Sequence, residues 1–283
     1  MKNEISTFPS LKLRWINAQC FEFKLPNGIT LLTDPFFDMP FFEKNKGHSV
    51  MGFTADDIEG ADYIFINHTH GDHIANLKQV YDRFNSKIIC HSSVALEVAK
   101  SFEVSLTSIY PVDFSGHYIF PGFTLDIFHG THHPIDFSYK KMKHDKFIDT
   151  GSKVENDLNI LGSIFNLNFL MTLSNGLRIA FVGGNDDGMN ERLKQIKPNI
   201  LIRNKMGSSR DFDNVSRKFA DNFIDSGAQL LIPMHVEQWA NEKVNFLNSE
   251  INDINKIAEN NNVSGRAVLL KRKQWYNLGI FIS

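Results

Sequence analysis

Short apolar segments of strand type occur at both ends of this 283-residue chain, and they set its fold class. Three of them open the chain, at 11–16, 20–25 and 28–34, and two close it, at 268–277 and 278–283. Inside each half, strand-type segments alternate with segments of helical spacing, which is the pattern of βα units. These features predict an α+β fold in which two mixed β-sheets pack face to face and helices flank them, an αββα sandwich.

The internal elements follow from apolar periodicity and from capping residues. Gly227 is a typical helix C-cap, and Asn175-Gly176 is a typical tight turn of a β-hairpin. The uncharged stretch 158–177 leads into this turn, and its polar residues argue for a strand rather than a membrane helix. The predicted strands are 61–67, 87–90, 123–128, 163–173, 177–184, 198–203 and 229–234, and the predicted helices are 72–84, 92–102, 213–227 and 236–260.

One long segment fits neither a helix nor a strand. We predict a single domain over residues 1–283, with residues 134–161 as an insert or lid within it, because connections of this length are often functional. This segment contains a basic cluster that could attract a phosphate or a carboxylate. The cluster consists of Lys140, Lys141, Lys143, His144 and Lys146.

Composition limits the partners and the compartment. The formal net charge of −2 argues against a protein that mainly holds nucleic acid or an anionic membrane. Cys20 and Cys90 are the only cysteines, so no disulfide framework can form and a cytoplasmic protein is expected. The N-terminal residues include Glu4 and no apolar core, which is unlike a secretory signal.

Potential metal ligands concentrate directly after the buried-type strand 61–67. His68, His70, Asp72 and His73 lie within six residues, and imidazole and carboxylate are ligands that Zn²⁺ prefers. In an extended run His68 and His70 point the same way, because the side-chain period is two. Asp72 and His73 lie where the chain turns into the next helix, so they can face a second metal position. Surface histidines rarely cluster so densely after a buried strand.

The spacing His-x-His-x-Asp-His resembles the signature of the metallo-β-lactamase superfamily of hydrolases. The segment with Asp34-Pro35 is similar to one in the branch that includes ascorbate-phosphate lactonases and N-acyl-phosphatidylethanolamine phospholipases. Two later strands, each followed by a histidine, resemble family elements that carry further ligands. The resemblance covers residues 11–240 and implies the metallo-β-lactamase fold.

The resemblance also implies the ligand sets. The first metal site would consist of His68, His70 and His132, with His133 as the alternative to His132. The second would consist of Asp72, His73 and His235. His129 could support a metal ligand or could be an ordinary, partly buried loop residue. Asp34 could orient a ligand through a hydrogen bond.

The chain departs from the family at the carboxylate that usually bridges the two metals. Gly184 stands at that position in direct register, unless the loop shifts so that Asn185 or Asp186 reaches the site. We therefore include Asp186 as a candidate ligand, with a solvated turn as the alternative. The missing charge predicts that the second ion binds more weakly than the first, because two cations repel each other more strongly without it.

The predicted activity is hydrolysis by a metal-bound hydroxide, with Asp72 as ligand and proton acceptor. The substrate would be a small, anionic ester, lactone or phosphate-bearing molecule. Arg203 and Lys205 are candidates for binding its anionic group. One or two divalent ions are expected, zinc first and manganese second, and no membrane or nucleic-acid partner. The alternatives are a phosphodiesterase or nuclease of the same fold, and a degenerate metal-binding protein without turnover.

Overall fold

The computed structural model describes most of the chain. The described residues are 10–37, 52–130, 132, 153–183, 189–204, 215–236 and 244–278.

Strands and helices alternate along the chain, as the sequence pattern predicts. The strands are β1 Leu11–Asn17, β2 Cys20–Lys24, β3 Thr30–Thr33, β4 Tyr63–Phe65, β5 Lys87–His91, β6 Ile109–Val112, β7 His117–Phe120, β8 Phe123–Gly130, β9 Asn166–Leu173, β10 Arg178–Val182, β11 Ile200–Asn204, β12 Leu230–Met234, β13 Arg266–Ala267 and β14 Tyr276–Leu278. The helices are α1 Gly71–Ile74, α2 Leu77–Phe84, α3 Ser92–Ser101, α4 Lys153–Ile164, α5 Met189–Ile196, α6 Val215–Ser226 and α7 Val244–Asn260.

The strands form two mixed sheets of seven strands each within the described residues. In the first sheet the order is β14-β1-β2-β3-β4-β5-β6, antiparallel from β14 to β3 and parallel from β3 to β6. In the second it is β13-β12-β11-β10-β9-β8-β7, parallel from β13 to β10 and antiparallel from β10 to β7. The predicted two-sheet sandwich with outer helices is confirmed.

The interior between the sheets is aromatic. Phe65 of β4 and Phe169 of β9 meet with their ring centroids 4.3 Å apart, and Phe169 stacks on Phe181 of β10 at 5.1 Å. All three side chains are fully buried. Burial of apolar surface on this scale is the main term that holds the two sheets together.

Helices cover the outer faces through apolar stripes. Ile74, Val80 and Val98 of α1, α2 and α3 pack with Ile64 and Ile88 of the first sheet. The second sheet is covered in the same way by α5, α6 and α7, whose apolar residues include Leu193, Phe219 and Ile254. Both sheets are therefore buried on two faces, which explains the continuous apolar runs in their strands.

The structure differs from the predicted elements in several places. Residues 153–161 of the predicted insert belong to α4, while 134–152 lie outside the described residues. The predicted strand 268–277 is mostly irregular, because the chain crosses there from β13 in the second sheet to β14 in the first, and Lys273 has φ +65°. Helix α5 is an element that the sequence pattern did not predict, and the described part of the last long helix begins at α7.

Two further properties concern the whole described part of the chain. Cys20 and Cys90 are buried free thiols. None of the described helices combines the length and the apolar character that a membrane crossing requires.

The aromatic contact between the sheets predicts a large effect of truncation. Phe169→Ala should lower the free energy of unfolding by about 3–5 kcal/mol, because it leaves a cavity where Phe65 and Phe181 now meet Phe169. Ile119→Ala is the matched control, since Ile119 is 80% exposed and its loss should change stability by less than about 0.5 kcal/mol. Urea unfolding of both variants measures the difference, and equal midpoints would contradict this account of the core.

Candidate metal centre

The candidate ligands lie where strands from both sheets end. The motif of His68 follows β4, and Asp34 follows the neighbouring β3. In the second sheet His132 lies two residues after β8, and His235 directly follows β12. The structure brings these strand ends together at one edge of the sandwich, so residues far apart in sequence share a site.

The motif itself changes from extended to helical in the middle. His70 is the N-cap of the single-turn helix α1, with extended backbone at φ −75° and ψ 157°. The backbone N–H of His73 donates to the carbonyl of His70 at 3.0 Å, so Asp72 and His73 lie on the turn. The motif therefore presents ligands in two directions, as its spacing predicts.

Three imidazoles form the first group. The ring centroids of His68, His70 and His132 are 4.5–5.1 Å apart, and their ligand nitrogens lie within 4.8 Å of one another. Nε2 of His68 is buried and has no hydrogen-bond partner among the described residues. Such an atom is costly to bury unless something binds it, so this group fits a metal ion.

Asp72, His73 and His235 form the second group. Oδ2 of Asp72 lies 3.2 Å from Nε2 of His235 and 3.8 Å from Nε2 of His73. The backbone N–H of His235 donates to the carbonyl of Ala18 at 3.0 Å, which ties this histidine to the first sheet. A carboxylate with two imidazoles is again a donor set that suits a divalent cation.

The two groups adjoin rather than lie apart. The rings of His68 and His73, one from each group, have centroids only 3.7 Å apart. Both side chains are nearly fully buried, whereas 25% of the Asp72 side chain is exposed. The pair of groups can therefore hold two ions next to each other, with Asp72 on the side that solvent reaches.

Polar neighbours orient the histidine rings. Nε2 of His70 lies 2.7 Å from Oγ of Ser163, Nδ1 of His73 lies 3.1 Å from Oδ2 of Asp34, and Nδ1 of His68 lies 2.8 Å from Oδ1 of Asn67. A partner at one ring nitrogen leaves the other nitrogen available to a metal. Asp34 therefore contacts His73, and its role in orienting a ligand stays a prediction.

Burial and charge set the protonation states. Burial, together with the neighbouring imidazoles, holds the pKa of His68 well below its usual value. Burial acts to raise the pKa of Asp72, but the imidazoles of His73 and His235 lower it below its usual range. Burial raises the pKa of Asp34, and the nearby His73 opposes that rise. A neutral His68 and an ionised Asp72 are the forms that bind metals.

Two loops at the candidate site have strained backbones. Asp34 has φ +39° and His235 has φ +58°, in the left-handed region that side chains with a Cβ rarely adopt. Such conformations persist only where the surrounding structure holds them. The strained residues here are Asp34, whose carboxylate contacts His73, and His235, one of the candidate ligands.

The remaining predicted residues have different fates. Arg203 is buried, stacks 4.9 Å from the ring of Phe219 in α6 and donates to the carbonyl of Asn204 at 3.2 Å. Its role in substrate binding stays a prediction. His129 is exposed and its ring lies 4.7 Å from that of Phe114, outside both groups. Other predicted residues lie outside the described part of the chain, namely His133, Gly184, Asn185, Asp186, Lys205 and the basic cluster with His144.

Three residues that contact the histidines were not found by sequence reasoning. Ser163 and Gly162 lie on α4, almost a hundred residues from the motif, and no sequence signal links them to it. A Cβ on Gly162 would lie 2.9 Å from the backbone nitrogen of Thr69 and 3.0 Å from that of His70. Asn67 directly precedes the motif, and this adjacency was an available signal.

Comparison with known proteins supports the family suggested by the motif. Residues 30–137 match the family model of the β-lactamase superfamily domain. A UPF0173 metal-dependent hydrolase of Methanobrevibacter smithii is 24% identical over 236 residues, covering 80% of this chain and 81% of that protein. Another, from Thermodesulfovibrio yellowstonii, is 25% identical over 96 residues, which is only 34% of each chain.

Solved structures share the fold. Igni18, a metallo hydrolase from Ignicoccus hospitalis, matches with a TM-score of 0.63 at 12% identity, over 96% of this chain and all of that one. A possible metal-dependent hydrolase from Veillonella parvula matches with a TM-score of 0.64 at 16% identity, over 95% of this chain and all of that one. The predicted fold is confirmed, whereas the branch suggested by Asp34-Pro35 stays a prediction.

The close approach of α4 to the motif predicts whether a Gly162→Ala substitution raises or lowers stability. In an exposed helix interior, Gly→Ala stabilises by about 1 kcal/mol. Gly162→Ala should instead destabilise the metal-free protein, because its Cβ would press on the backbone of Thr69 and His70. Denaturant unfolding decides the sign, and a more stable variant would show that α4 can move away from the motif without cost.

Proposed function

We propose that this protein hydrolyses a small, anionic ester, lactone or phosphate-bearing molecule. The chain belongs to the metallo-β-lactamase superfamily, and its relatives support the general activity of a metal-dependent hydrolase. The observation that carries this proposal is the adjoining pair of ligand groups, with His68 and His73 in ring contact between them. The lean towards an anionic ester or lactone comes from the branch that the segment with Asp34-Pro35 resembles.

In this proposal each group holds one divalent ion. His68, His70 and His132 hold the first ion, and Asp72, His73 and His235 hold the second. Imidazole and carboxylate donors favour zinc, with manganese as the alternative. When bound, such an ion would supply a hydroxide nucleophile near neutral pH and would polarise the substrate oxygen that gains charge.

Asp72 is the candidate proton acceptor of this proposal. Its carboxylate is held in the ionised form by the imidazoles of His73 and His235. Part of the side chain is exposed, so water and substrate can approach it. Asp72 would take the proton of the attacking water as well as bind the second ion. Asp186 stays a candidate ligand of that ion, and Arg203 and Lys205 stay candidates for the anionic group of the substrate.

The other candidate activities have weaker support. A phosphodiesterase or nuclease could use the same ligands, but the net charge of −2 offers no general attraction for nucleic acid. A degenerate protein without turnover would not need both groups, yet each presents three donors within 4.8 Å of one another. Hydrolysis of a small molecule is therefore the function that the site supports best.

The first test is metal content. His70→Ala should bind about one zinc ion fewer than the parent protein, because the first group loses one of its three imidazoles. His117→Ala is the matched control, since His117 is exposed on β7 and pairs with Asp126. Elemental analysis after zinc loading measures the difference. A His70→Ala protein with the full metal content would refute the ligand assignment.

The second test is turnover. Zinc-loaded protein should hydrolyse members of a panel of lactones, carboxylic esters and phosphate esters, and Asp72→Asn should lower kcat by about 10²–10⁴-fold. Asp126→Asn controls for the loss of a carboxylate, since Asp126 lies on β8 outside both ligand groups and its side chain is 37% exposed. Faster hydrolysis of oligonucleotides than of every small ester would favour the nuclease. No turnover by a fully loaded protein would favour the degenerate protein.

A further inference from the structure

Asn67 is a fully buried residue that joins three parts of the site. Its backbone N–H donates to Oδ1 of Asp34 at 2.7 Å, and its carbonyl accepts from the backbone N–H of Leu167 at 2.8 Å. Its side-chain Nδ2 donates to the carbonyl of Leu167, and its Oδ1 lies 2.8 Å from Nδ1 of His68. This one residue therefore contacts the loop after β3, strand β9 of the other sheet and a candidate metal ligand.

The contact with β9 fixes which end of the amide faces the histidine. A backbone carbonyl can only accept a hydrogen bond, so the amide nitrogen of Asn67 must face the carbonyl of Leu167. The amide oxygen then faces Nδ1 of His68, and an amide oxygen can also only accept. Nδ1 of His68 must therefore carry the hydrogen, and Nε2 carries the lone pair.

We propose that Asn67 is a positioning residue that selects the Nδ1–H tautomer of His68 and so leaves its buried Nε2 ready to bind a metal ion. The amide end facing His68 is set by a hydrogen bond to the opposite sheet, so the selection is made by the fold before any ion arrives. Nε2 itself is buried and has no hydrogen-bond partner among the described residues, as this selection requires.

A second asparagine lies near the same ring nitrogen but cannot make the selection. Nδ2 of Asn166 is 3.5 Å from Nδ1 of His68, at the outer limit of a hydrogen bond. The 2.8 Å contact with Asn67 is much shorter, so its acceptor decides which nitrogen carries the hydrogen. Asn166→Ala should leave the tautomer of His68 unchanged.

The tautomer can be measured in the metal-free protein. Long-range ¹H–¹⁵N correlation spectra at mildly alkaline pH report which ring nitrogen carries the hydrogen, and the missing signals of His68→Ala assign the ring. We expect Nδ1–H for His68 in the parent protein and a shift towards Nε2–H in Asn67→Ala. Competition with a zinc chelator should show that Asn67→Ala binds the first Zn²⁺ ion about 10–100-fold more weakly.

Two further variants separate positioning from general support of the fold. Asn67→Asp keeps an acceptor beside Nδ1 of His68 but places an oxygen against the carbonyl of Leu167. It should lose stability yet keep the tautomer and the zinc affinity. Asn255→Ala is the matched control, because the Asn255 amide joins α7 to β13 through two hydrogen bonds with the backbone of Ala267, at 3.1 and 2.7 Å. It should lower the unfolding midpoint and change neither histidine signals nor zinc affinity.

Three results would overturn the proposal. They are an Nε2–H signal for His68 in the parent protein, an unchanged tautomer and affinity in Asn67→Ala, and an affinity loss in Asn67→Asp as large as in Asn67→Ala. If Asn67→Ala does not fold, an Nε2–H signal in Asn67→Asp, or a zinc affinity about 10-fold below that of the parent, would overturn the proposal. The spectra need no metal, so a parent protein that binds no zinc would contradict the proposed function and still leave the tautomer to be judged.

Discussion

The site depends on the contact between Phe65 and Phe169 across the interior of the sandwich. These rings meet with centroids 4.3 Å apart, two residues before Asn67 and two residues after Leu167. An aromatic contact so close to the sheet edge sets the distance between β4 and β9 at the point where the chain becomes polar. The hydrogen bonds between Asn67 and Leu167 can form only at that distance, and the geometry of His68 follows from them.

Beyond that contact, the sandwich contains a layer of buried polar groups. Asn67 and Asn166 are fully buried beside His68. Asn168, on the same strand as Asn166, is also fully buried, and its amide oxygen accepts from the backbone N–H of Gly183 at 2.8 Å. Polar groups so deeply buried destabilise a fold unless hydrogen bonds satisfy them. Ligands on such a layer are held by both sheets, so we expect little rearrangement when an ion binds.

Much of the fold and of the candidate site could be predicted from local sequence, because period and spacing are local properties. The strand before His68 is a continuous apolar run. The spacing of the motif alone predicts that its ligands face two directions, whatever the position of the other sheet. The contacts of Ser163 with His70 and of Asn67 with Leu167 could not be predicted in this way, since they join residues about a hundred positions apart. They depend on how the sheets pack.

The direction of the Arg203 side chain could have been predicted from local sequence. Leu201 packs on the helix-covered face of β11 and Ile202 packs between the sheets. Strand alternation therefore turns the next side chain back to the helices, where Arg203 stacks on Phe219. Helix α4 could not be predicted from local sequence, because the segment before it is polar and rich in lysine and gives no signal of where a helix begins.

The left-handed backbone at Asp34 and His235 gives the site an energetic cost that the rest of the chain must balance. Each such residue costs about 1–3 kcal/mol, and glycine would avoid most of that cost. The chain has instead an aspartate and a histidine, side chains that glycine cannot supply. Selection for stability alone would therefore favour glycine at both positions, so these two side chains trade robustness for function.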